Sequence, residues 1–323
     1  MFWVLCTIVS LAIFLMAMTV GTVMATLVAL LIDHRKVQTG TLGSPGLLFA
    51  LRVFPVILGA GLALGFALPS FLLLEPKQTI ERPDPGLLLL SFCSALVIAV
   101  FVGRAVRLLT ITKRIVGEWC LTAEPLDIPG ISVPIFVIDQ PESLIAVAGF
   151  FRPKIFIGSR AFASLGKEEL GAAVAHESAH VRSFDNLKQL VLHVTSFPKY
   201  FRHLAVVEAS WYQASEFAAD RVALNSGISA LDLASTLVKI GRLKGASSTM
   251  LAVSHLLPAS CSSTVAMRVQ WLQSVVAETP LPSTSRQGRM RYPLAAILMT
   301  LLYLMILPAS LPIAHRFIEW LVR

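Results

Sequence analysis

The chain has 323 residues, of which 55% are hydrophobic and only 14% are charged, and its mean hydropathy is +0.74. Because soluble domains carry about 25% charged residues, this composition excludes an ordinary soluble enzyme and indicates a membrane protein. The net charge of +8 does not indicate a nucleic-acid partner, since residues 115–291 carry 16 basic and 14 acidic residues and are nearly balanced. The excess positive charge lies in and around the apolar segments.

Four apolar segments are long enough to cross a bilayer, which needs about 20 residues. We predict membrane spans at about residues 1–32, 53–74, 86–112 and 292–314. The first segment has no basic start and is longer than a signal-peptide core, so we interpret it as a retained helix. The lipid bilayer is therefore an expected partner. No span has an ionisable residue near its middle, which argues against a transporter or channel.

The basic residues predict an orientation. Arg35, Lys36 and Arg52 flank the first loop, and further basic residues follow the third span and precede the fourth. By the positive-inside rule, we expect residues 1–114 to form a membrane domain whose N-terminus is outside, in the cell (inner) membrane. Residues 115–278 would then face the cytoplasm, and the tail at 315–323 would lie outside.

The soluble region 115–278 combines short strands with helices. Segments 133–138, 143–148 and 154–158 are rich in β-branched residues and predict three strands. A helix is predicted from Lys167 onwards, with further helices at 185–196, 204–226, 229–243 and 264–276. Residues 279–291 read as a linker to the fourth span. The predicted fold class is mainly α, a polytopic membrane protein with an α+β soluble domain.

The helix from Lys167 carries His176-Glu177-Ser178-Ala179-His180, an H-E-x-x-H sequence. Residues four apart share one helix face, so both imidazoles can reach one metal ion. Zinc suits this ligand set, and Glu177 can act as general base on water. The pattern predicts a zinc hydrolase, and specifically a peptidase that uses one Zn²⁺ ion.

A catalytic zinc needs a third protein ligand. Glu216 is the best candidate, because it lies on an apolar helix where a carboxylate needs a partner. Asp220, one turn later, could accept a hydrogen bond from a ligand histidine. His193 and His203 are competing candidates. For stabilising the transition state, Tyr212, His203 and Arg221 remain open alternatives.

Several motifs resemble membrane metallopeptidases of the BlaR/MecR beta-lactam-sensor type, which are related to the HtpX and CAAX-prenyl-protease families. The resemblance rests on residues 149–157, on His180-Val181-Arg182-Ser183-Phe184-Asp185-Asn186, and on the Glu216/Asp220 helix. It implies a cytoplasmic zincin-like (gluzincin) domain with ligands His176, His180 and Glu216. It also implies supporting roles for Asp185, Asn186 and Arg268. We expect no antibiotic sensing, because the sensor domain of that family is missing.

The sequence therefore predicts a membrane zinc endopeptidase that cleaves a protein or peptide substrate. A strand within 143–158 could bind that substrate by strand addition. The substrate could be a membrane protein or a repressor-like cytoplasmic protein. The alternative is a catalytically silent membrane receptor or scaffold that retains the peptidase fold. The sequence carries no prediction of the oligomeric state.

Overall fold

The computed structural model describes residues 2–31, 44–75, 83–139, 145–196, 202–244 and 262–277, together with 303, 310–313, 316 and 319. The predicted linker 279–291 and most of the predicted fourth span lie outside the described residues. The described part is mainly helical with one small mixed sheet, in agreement with the predicted fold class.

Within the described residues, three helices are long and apolar enough to cross a membrane: α1 (Phe2–Leu31), α2 (Pro45–Leu74) and α3 (Pro85–Leu121). They correspond to the first three predicted spans. Two described residues of the predicted fourth span contact α2. The Tyr303 hydroxyl donates to the carbonyl oxygen of Gly65 at 2.6 Å, and the Ser70 hydroxyl donates to that of Leu311 at 3.3 Å.

Helix α2 contains a π-helical turn at Ala63–Ala67. Pro69 follows this turn and has no N–H to donate to the carbonyl of Gly65, four residues earlier. The Tyr303 hydroxyl bonds to that carbonyl oxygen. The irregular turn therefore keeps its backbone oxygen paired inside an apolar environment, as a membrane helix requires.

Helix α3 extends well beyond the length that a bilayer needs. Its 37 residues span about 55 Å at 1.5 Å per residue, against about 30 Å of hydrocarbon. The first half is uncharged, whereas the second half carries Arg104, Arg107, Lys113 and Arg114. Trp119, near its C-terminal end, packs on the sheet. The helix thus joins the membrane-spanning part directly to the soluble part.

The sheet has four strands in the order β1-β2-β4-β3: β1 (Glu124–Leu126), β2 (Ile135–Ile138), β3 (Ile145–Ala148) and β4 (Lys154–Gly158). The central β2 and β4 are parallel, and both outer pairs are antiparallel. Strands β2, β3 and β4 match the three predicted strands. Strand β1 was not predicted, because three residues that include a proline carry little strand signal.

The two faces of the sheet pack on different helices. One face, which includes Val147 and Ile155, packs on Ala173 and Val174 of α5 (Lys167–Arg182). The other face, which includes Ala146 and Phe156, packs on Trp119 of α3. Side chains alternate between the faces along each strand, as a pleated strand requires. The sheet therefore lies between the long membrane helix and the helix that carries H-E-x-x-H.

The remaining helices follow the sheet in chain order. They are α4 (Ser159–Ser164), α6 (Asp185–Val194), α7 (Arg202–Asn225), α8 (Ala230–Lys244) and α9 (Ser262–Ala277). The predicted helices at 185–196, 204–226, 229–243 and 264–276 match α6 to α9 within two residues at each end.

A buried cluster and Arg52 attach the soluble helices to the membrane helices. Trp211 of α7 is fully buried with Leu48 and Val53 of α2 and with Leu192 of α6. Beside this cluster, the guanidinium of Arg52 pairs with Glu208 at 3.1 Å. Burial of this apolar surface, at about 25 cal/mol per Å², favours a fixed attachment.

Candidate metal centre

Helix α5 presents both histidines of the H-E-x-x-H sequence. The helix begins after Gly166, whose backbone N–H donates to the Glu169 carboxylate at 2.8 Å. Its first turn holds two acidic residues, whose negative charges interact favourably with the helix dipole. Its small alanines allow close packing against β3 and β4. His176 and His180 lie one turn apart on the same face, with ring centroids 4.8 Å apart.

Three donor atoms converge at one point. His176 Nε2 lies 3.2 Å from His180 Nε2, and the two nitrogens lie 3.5 Å from Glu216 Oε2 and Oε1, respectively. In a tetrahedral zinc site with ligands at about 2.0–2.1 Å, neighbouring donors are about 3.3 Å apart. The spacing therefore fits one zinc ion, and this trio is the group among the described residues whose donors lie within 4.8 Å of one another.

Each imidazole turns its other nitrogen toward a carboxylate. The Nδ1 atom of His176 lies 2.9 Å from Asp220 Oδ1, and that of His180 lies 2.8 Å from Asp185 Oδ2. These hydrogen bonds favour the tautomer in which Nδ1 carries the proton and Nε2 keeps its lone pair. Both Nε2 atoms are thus oriented as metal ligands, as is usual for histidines in metal sites.

Arg268, from α9, connects two carboxylates of α7, Glu216 and Asp220. Its Nε and Nη2 each donate to Asp220 at 2.6 Å, and its Nη1 donates to Glu216 Oε2. The Arg268 side chain is only 4% exposed and that of Asp220 is fully buried. A two-point arginine–carboxylate pair fixes orientation as well as charge. Arg268 therefore holds Glu216 and Asp220 in register relative to His176.

The field at this cluster shifts several pKa values. Burial would lower the pKa of His176, but its contacts with Asp220 and Glu216 outweigh burial and raise it to about 10. Burial would raise the pKa values of Glu216 and Asp220, yet the charge of Arg268 lowers both. The carboxylates are therefore ionised at neutral pH, and the position between the imidazoles favours positive charge.

Formal charges around the two imidazoles favour a dication. When both imidazoles are counted as neutral, as metal ligands are, four carboxylates and two cations lie in or next to the cluster, which gives a net charge of −2. They are Glu177, Asp185, Glu216 and Asp220, with Lys188 and Arg268. One Zn²⁺ ion would balance this charge, which supports the donor-spacing argument independently.

Glu177 lies beside the cluster on α5 and is partly exposed. It is close enough to Arg268 that its charge contributes, after Glu216 and Asp220, to raising the pKa of that guanidinium against the effect of burial. A carboxylate that adjoins these candidate metal ligands and still reaches solvent can exchange protons with water. This is the position that a general base requires.

Three other predicted residues point elsewhere. His203 is exposed near the start of α7, about 20 Å along the helix from Glu216. Arg221 is exposed and lies 6.0 Å over the ring of Trp271. The Tyr212 ring packs on Trp211, and burial followed by the charge of Glu208 raises its pKa. Arg221 therefore packs on α9, and Tyr212 packs in the membrane attachment.

His193 and Asn186 have structural partners on and near α6. His193 Nδ1 hydrogen bonds to the carbonyl of Gln189 in its own helix, at 2.9 Å. Asn186 donates to the carbonyls of Val147 and Gly149, at 3.2 and 3.1 Å, and so ties α6 to the end of β3.

Lys188 was not singled out from the sequence. It contacts Asp185 Oδ1 at 3.2 Å, and its spacing of three residues from Asp185 on a predicted helix was the signal that could have found it.

Residues 114–256 match the model of Peptidase family M48, a family of zinc-dependent metallopeptidases. The match covers less than half of the chain, and includes α5, α6 and the Glu216/Asp220 helix but ends before Arg268. It indicates a metallopeptidase domain, while the BlaR/MecR and HtpX assignments stay predictions. Comparisons with curated proteins and with solved structures give no match.

Proposed function

We propose that this chain is an integral membrane zinc endopeptidase that hydrolyses peptide bonds of a protein substrate. The observation that carries the proposal is the convergence of His176, His180 and Glu216 at tetrahedral spacing, inside the region that matches a metallopeptidase family. A chain that had lost its metal site would be free to lose this spacing, and for that reason we prefer an enzyme to a silent receptor.

When bound to these three residues, zinc supplies Lewis-acid polarisation of a carbonyl oxygen and lowers the pKa of water to about 7. The remaining steps belong to the protein. Asp185 and Asp220 keep the imidazoles in the ligand tautomer. Glu177 accepts a proton from the attacking water and returns it to the leaving amine, a transfer that typically contributes a factor of about 10²–10⁴ in rate.

Arg268 supports this chemistry without contacting the substrate. By neutralising Asp220 and part of the Glu216 charge, it allows both carboxylates to remain ionised inside the protein. Removing a partner from such a buried network leaves an uncompensated charge. We therefore assign Arg268 a positioning role.

In this proposal the protein lies in the inner membrane of the cell, and its active site faces the cytoplasm. The support is the charge distribution: the second half of α3, which leads into the peptidase domain, carries four basic residues, as cytoplasmic flanks do. Substrates would then be membrane proteins or soluble cytoplasmic proteins such as a repressor.

The test compares purified full-length wild type with Glu177→Gln, in detergent and loaded with zinc. We expect one zinc per chain in both, and a loss of peptide hydrolysis by a factor of about 10² or more in the variant. Glu168→Gln, an exposed glutamate of the same helix, is the matched control and should retain activity. Full activity of Glu177→Gln, or wild type that binds no zinc, would refute the proposal.

A further inference from the structure

The C-terminal end of α6 is held by arginines from two membrane helices. Arg104 of α3 donates through Nη1 to the carbonyl oxygen of Ser196 at 2.6 Å and to that of Val194 at 3.5 Å. Arg52 of α2 donates through Nη2 to the carbonyl oxygen of Thr195 at 3.3 Å. The last carbonyls of a helix have no partner within the helix, and cations beside them interact favourably with the helix dipole. We call these contacts the arginine cap of α6.

Both arginines lie where the apolar part of a membrane helix ends. Arg52 is followed by the charge-free residues 53–74 of α2, and Arg104 is preceded by the charge-free residues 85–103 of α3. Leu192 of α6 is fully buried in the cluster that joins α2 to α7. The C-terminal end of α6 therefore has a fixed position relative to the membrane helices.

The N-terminal end of the same helix belongs to the candidate metal centre. Asp185 is the first residue of α6, and its Oδ2 lies 2.8 Å from His180 Nδ1. Its Oδ1 accepts from Lys188, one turn along α6, so the carboxylate is held by its own helix as well as by the histidine. Since α6 has ten residues, its two ends lie about 15 Å apart. One short helix thus connects the arginine cap with the imidazole of a candidate zinc ligand.

The position of the Asp185 carboxylate depends on how both ends of α6 are held. At the N-terminal end, Asn186 donates to the carbonyls of Val147 and Gly149 and ties the helix to β3. Two points define the axis of a helix, and the arginine cap is the second of them. A shift of the carboxylate by about 1 Å would break its contact with His180, because a hydrogen bond is lost beyond about 3.5 Å.

We propose that Arg104 is a positioning residue for the metal centre. By capping α6 it fixes the axis of that helix and, through Asp185, the orientation of the His180 imidazole. The inference rests on the proposed zinc peptidase function and adds a residue of a membrane helix to the groups that set its metal affinity. Arg104 is a better test than Arg52, because Arg52 also pairs with Glu208 and its loss would disturb the attachment of α7.

A double-mutant cycle on zinc affinity tests this role, because an effect of Arg104 that passes through Asp185 must disappear when Asp185 is changed. Full-length protein in detergent is titrated with zinc against a chromophoric chelator. Arg104→Gln should weaken binding about fivefold, which is within the loss expected for changing the carboxylate itself. In the Asp185→Asn background the same change should weaken binding less than about 1.5-fold.

The control is Arg107→Gln, at an exposed position one turn further along α3, which should bind zinc as wild type does in both backgrounds. Independent residues this far apart have additive effects. An equal loss from Arg104→Gln in the two backgrounds, or wild-type affinity in Arg104→Gln, would therefore overturn the positioning role.

Cobalt-loaded protein supplies a readout that a loss of stability does not move. The visible absorption of Co²⁺ depends on the arrangement of its ligands, so Arg104→Gln should change the spectrum in the same direction as Asp185→Asn. A spectrum that Arg104→Gln leaves unchanged would contradict the inference. Should Arg104→Gln fail to fold, Arg104→Lys keeps the positive charge with a single donor group. It should weaken zinc binding about twofold, and only when Asp185 is present.

Peptide hydrolysis separates this inference from the proposed function. At saturating zinc, Arg104→Gln should lower kcat severalfold and leave KM unchanged, because the residue orients a metal ligand and does not bind substrate. A non-additive cycle without any hydrolysis by wild type would refute the peptidase and keep the positioning role. Hydrolysis with an additive cycle would overturn the positioning role alone, and wild type that binds no zinc would overturn both.

Discussion

His176 and His180 lie on one helix face and point at the same position, but they are held there in different ways. The partner of His176, Asp220, is fully buried and is bound at two points by Arg268 from a third helix. The partner of His180, Asp185, lies five residues along the chain and pairs with Lys188, whose side chain is 27% exposed.

This difference separates a tertiary support from a local one. The support of His176 requires α5, α7 and α9 to be packed together before the Asp220 carboxylate is in place. The support of His180, through Asp185, forms at the turn between α5 and α6. We therefore expect the His176 side to couple metal binding to the overall fold, and the His180 side to adjust the site with little effect on stability.

The largest expected effect comes from removing Arg268, and the matched comparison is the removal of Lys188. Arg268→Met leaves Asp220 and Glu216 buried without their partner, and should lower the free energy of unfolding by about 3–5 kcal/mol. Lys188→Met removes a partly exposed pair and should cost less than about 1 kcal/mol. Thermal unfolding in detergent, with zinc removed by a chelator, measures both. Equal losses would show that the two supports do not differ.

The next effect is on metal affinity. Replacing a carboxylate that orients a metal-bound histidine typically weakens binding about 10- to 100-fold. Asp220→Asn should approach the upper value, because it also leaves Arg268 without its two-point partner, and Asp185→Asn should approach the lower value. Competition with a chromophoric chelator gives the two dissociation constants. A larger loss for Asp185→Asn would reverse the comparison.

Glu169 lies at the N-terminal end of α5. Its carboxylate should make the stability of this helix depend on pH. Hydrogen bonds from Lys239 and Ser235 and from the backbone of Gly166 lower its pKa from 4.5 to about 2. Because the folded-state pKa is depressed, its stabilising contribution is present above pH 4.5 and is lost as pH falls toward 2. Glu169→Gln should therefore be less stable than wild type at neutral pH.

The difference in free energy of unfolding between Glu169→Gln and wild type should narrow as the pH falls from 4.5 toward 2. Thermal unfolding at a series of pH values measures it, with Glu168→Gln as the exposed control. A gap that is constant with pH would mean that the carboxylate charge is not the source of the stabilisation.

The smallest effect concerns the turn that positions Asp185. Phe184 has φ of 55°, a left-handed conformation that costs a non-glycine residue about 1–2 kcal/mol, and its side chain is exposed. Phe184→Gly should raise the free energy of unfolding by about 0.5–1 kcal/mol, because the greater entropy of glycine in the unfolded chain offsets part of the strain that is relieved. Zinc affinity should be unchanged. A destabilised variant would show that the aromatic ring has packing partners that matter.

The sequence was most informative where a pattern is local. Helical spacing predicted that His176 and His180 share a face, and alternating or charge-free segments predicted the strands and spans. The pairing of Glu216 with Asp220 followed from the same spacing, because both lie on α7 one turn apart.

Contacts between distant segments were much harder to predict. Arg268 binds Asp220 across 48 residues of chain, and only the packing of α9 on α7 brings them together. Tyr212 shares a helix face with Glu216 and packs in the membrane attachment, which is another contact between distant segments that the sequence did not indicate.

X-ray absorption at the zinc edge of the zinc-loaded protein tests the central claim most directly. We expect two imidazole nitrogens and one carboxylate oxygen at about 2.0–2.2 Å, with a fourth position filled by a small oxygen ligand such as water. Glu216→Ala should remove the carboxylate contribution, whereas Glu208→Ala, on the same helix, should leave the spectrum unchanged. A sulfur ligand, or a spectrum that Glu216→Ala does not alter, would contradict the site described here.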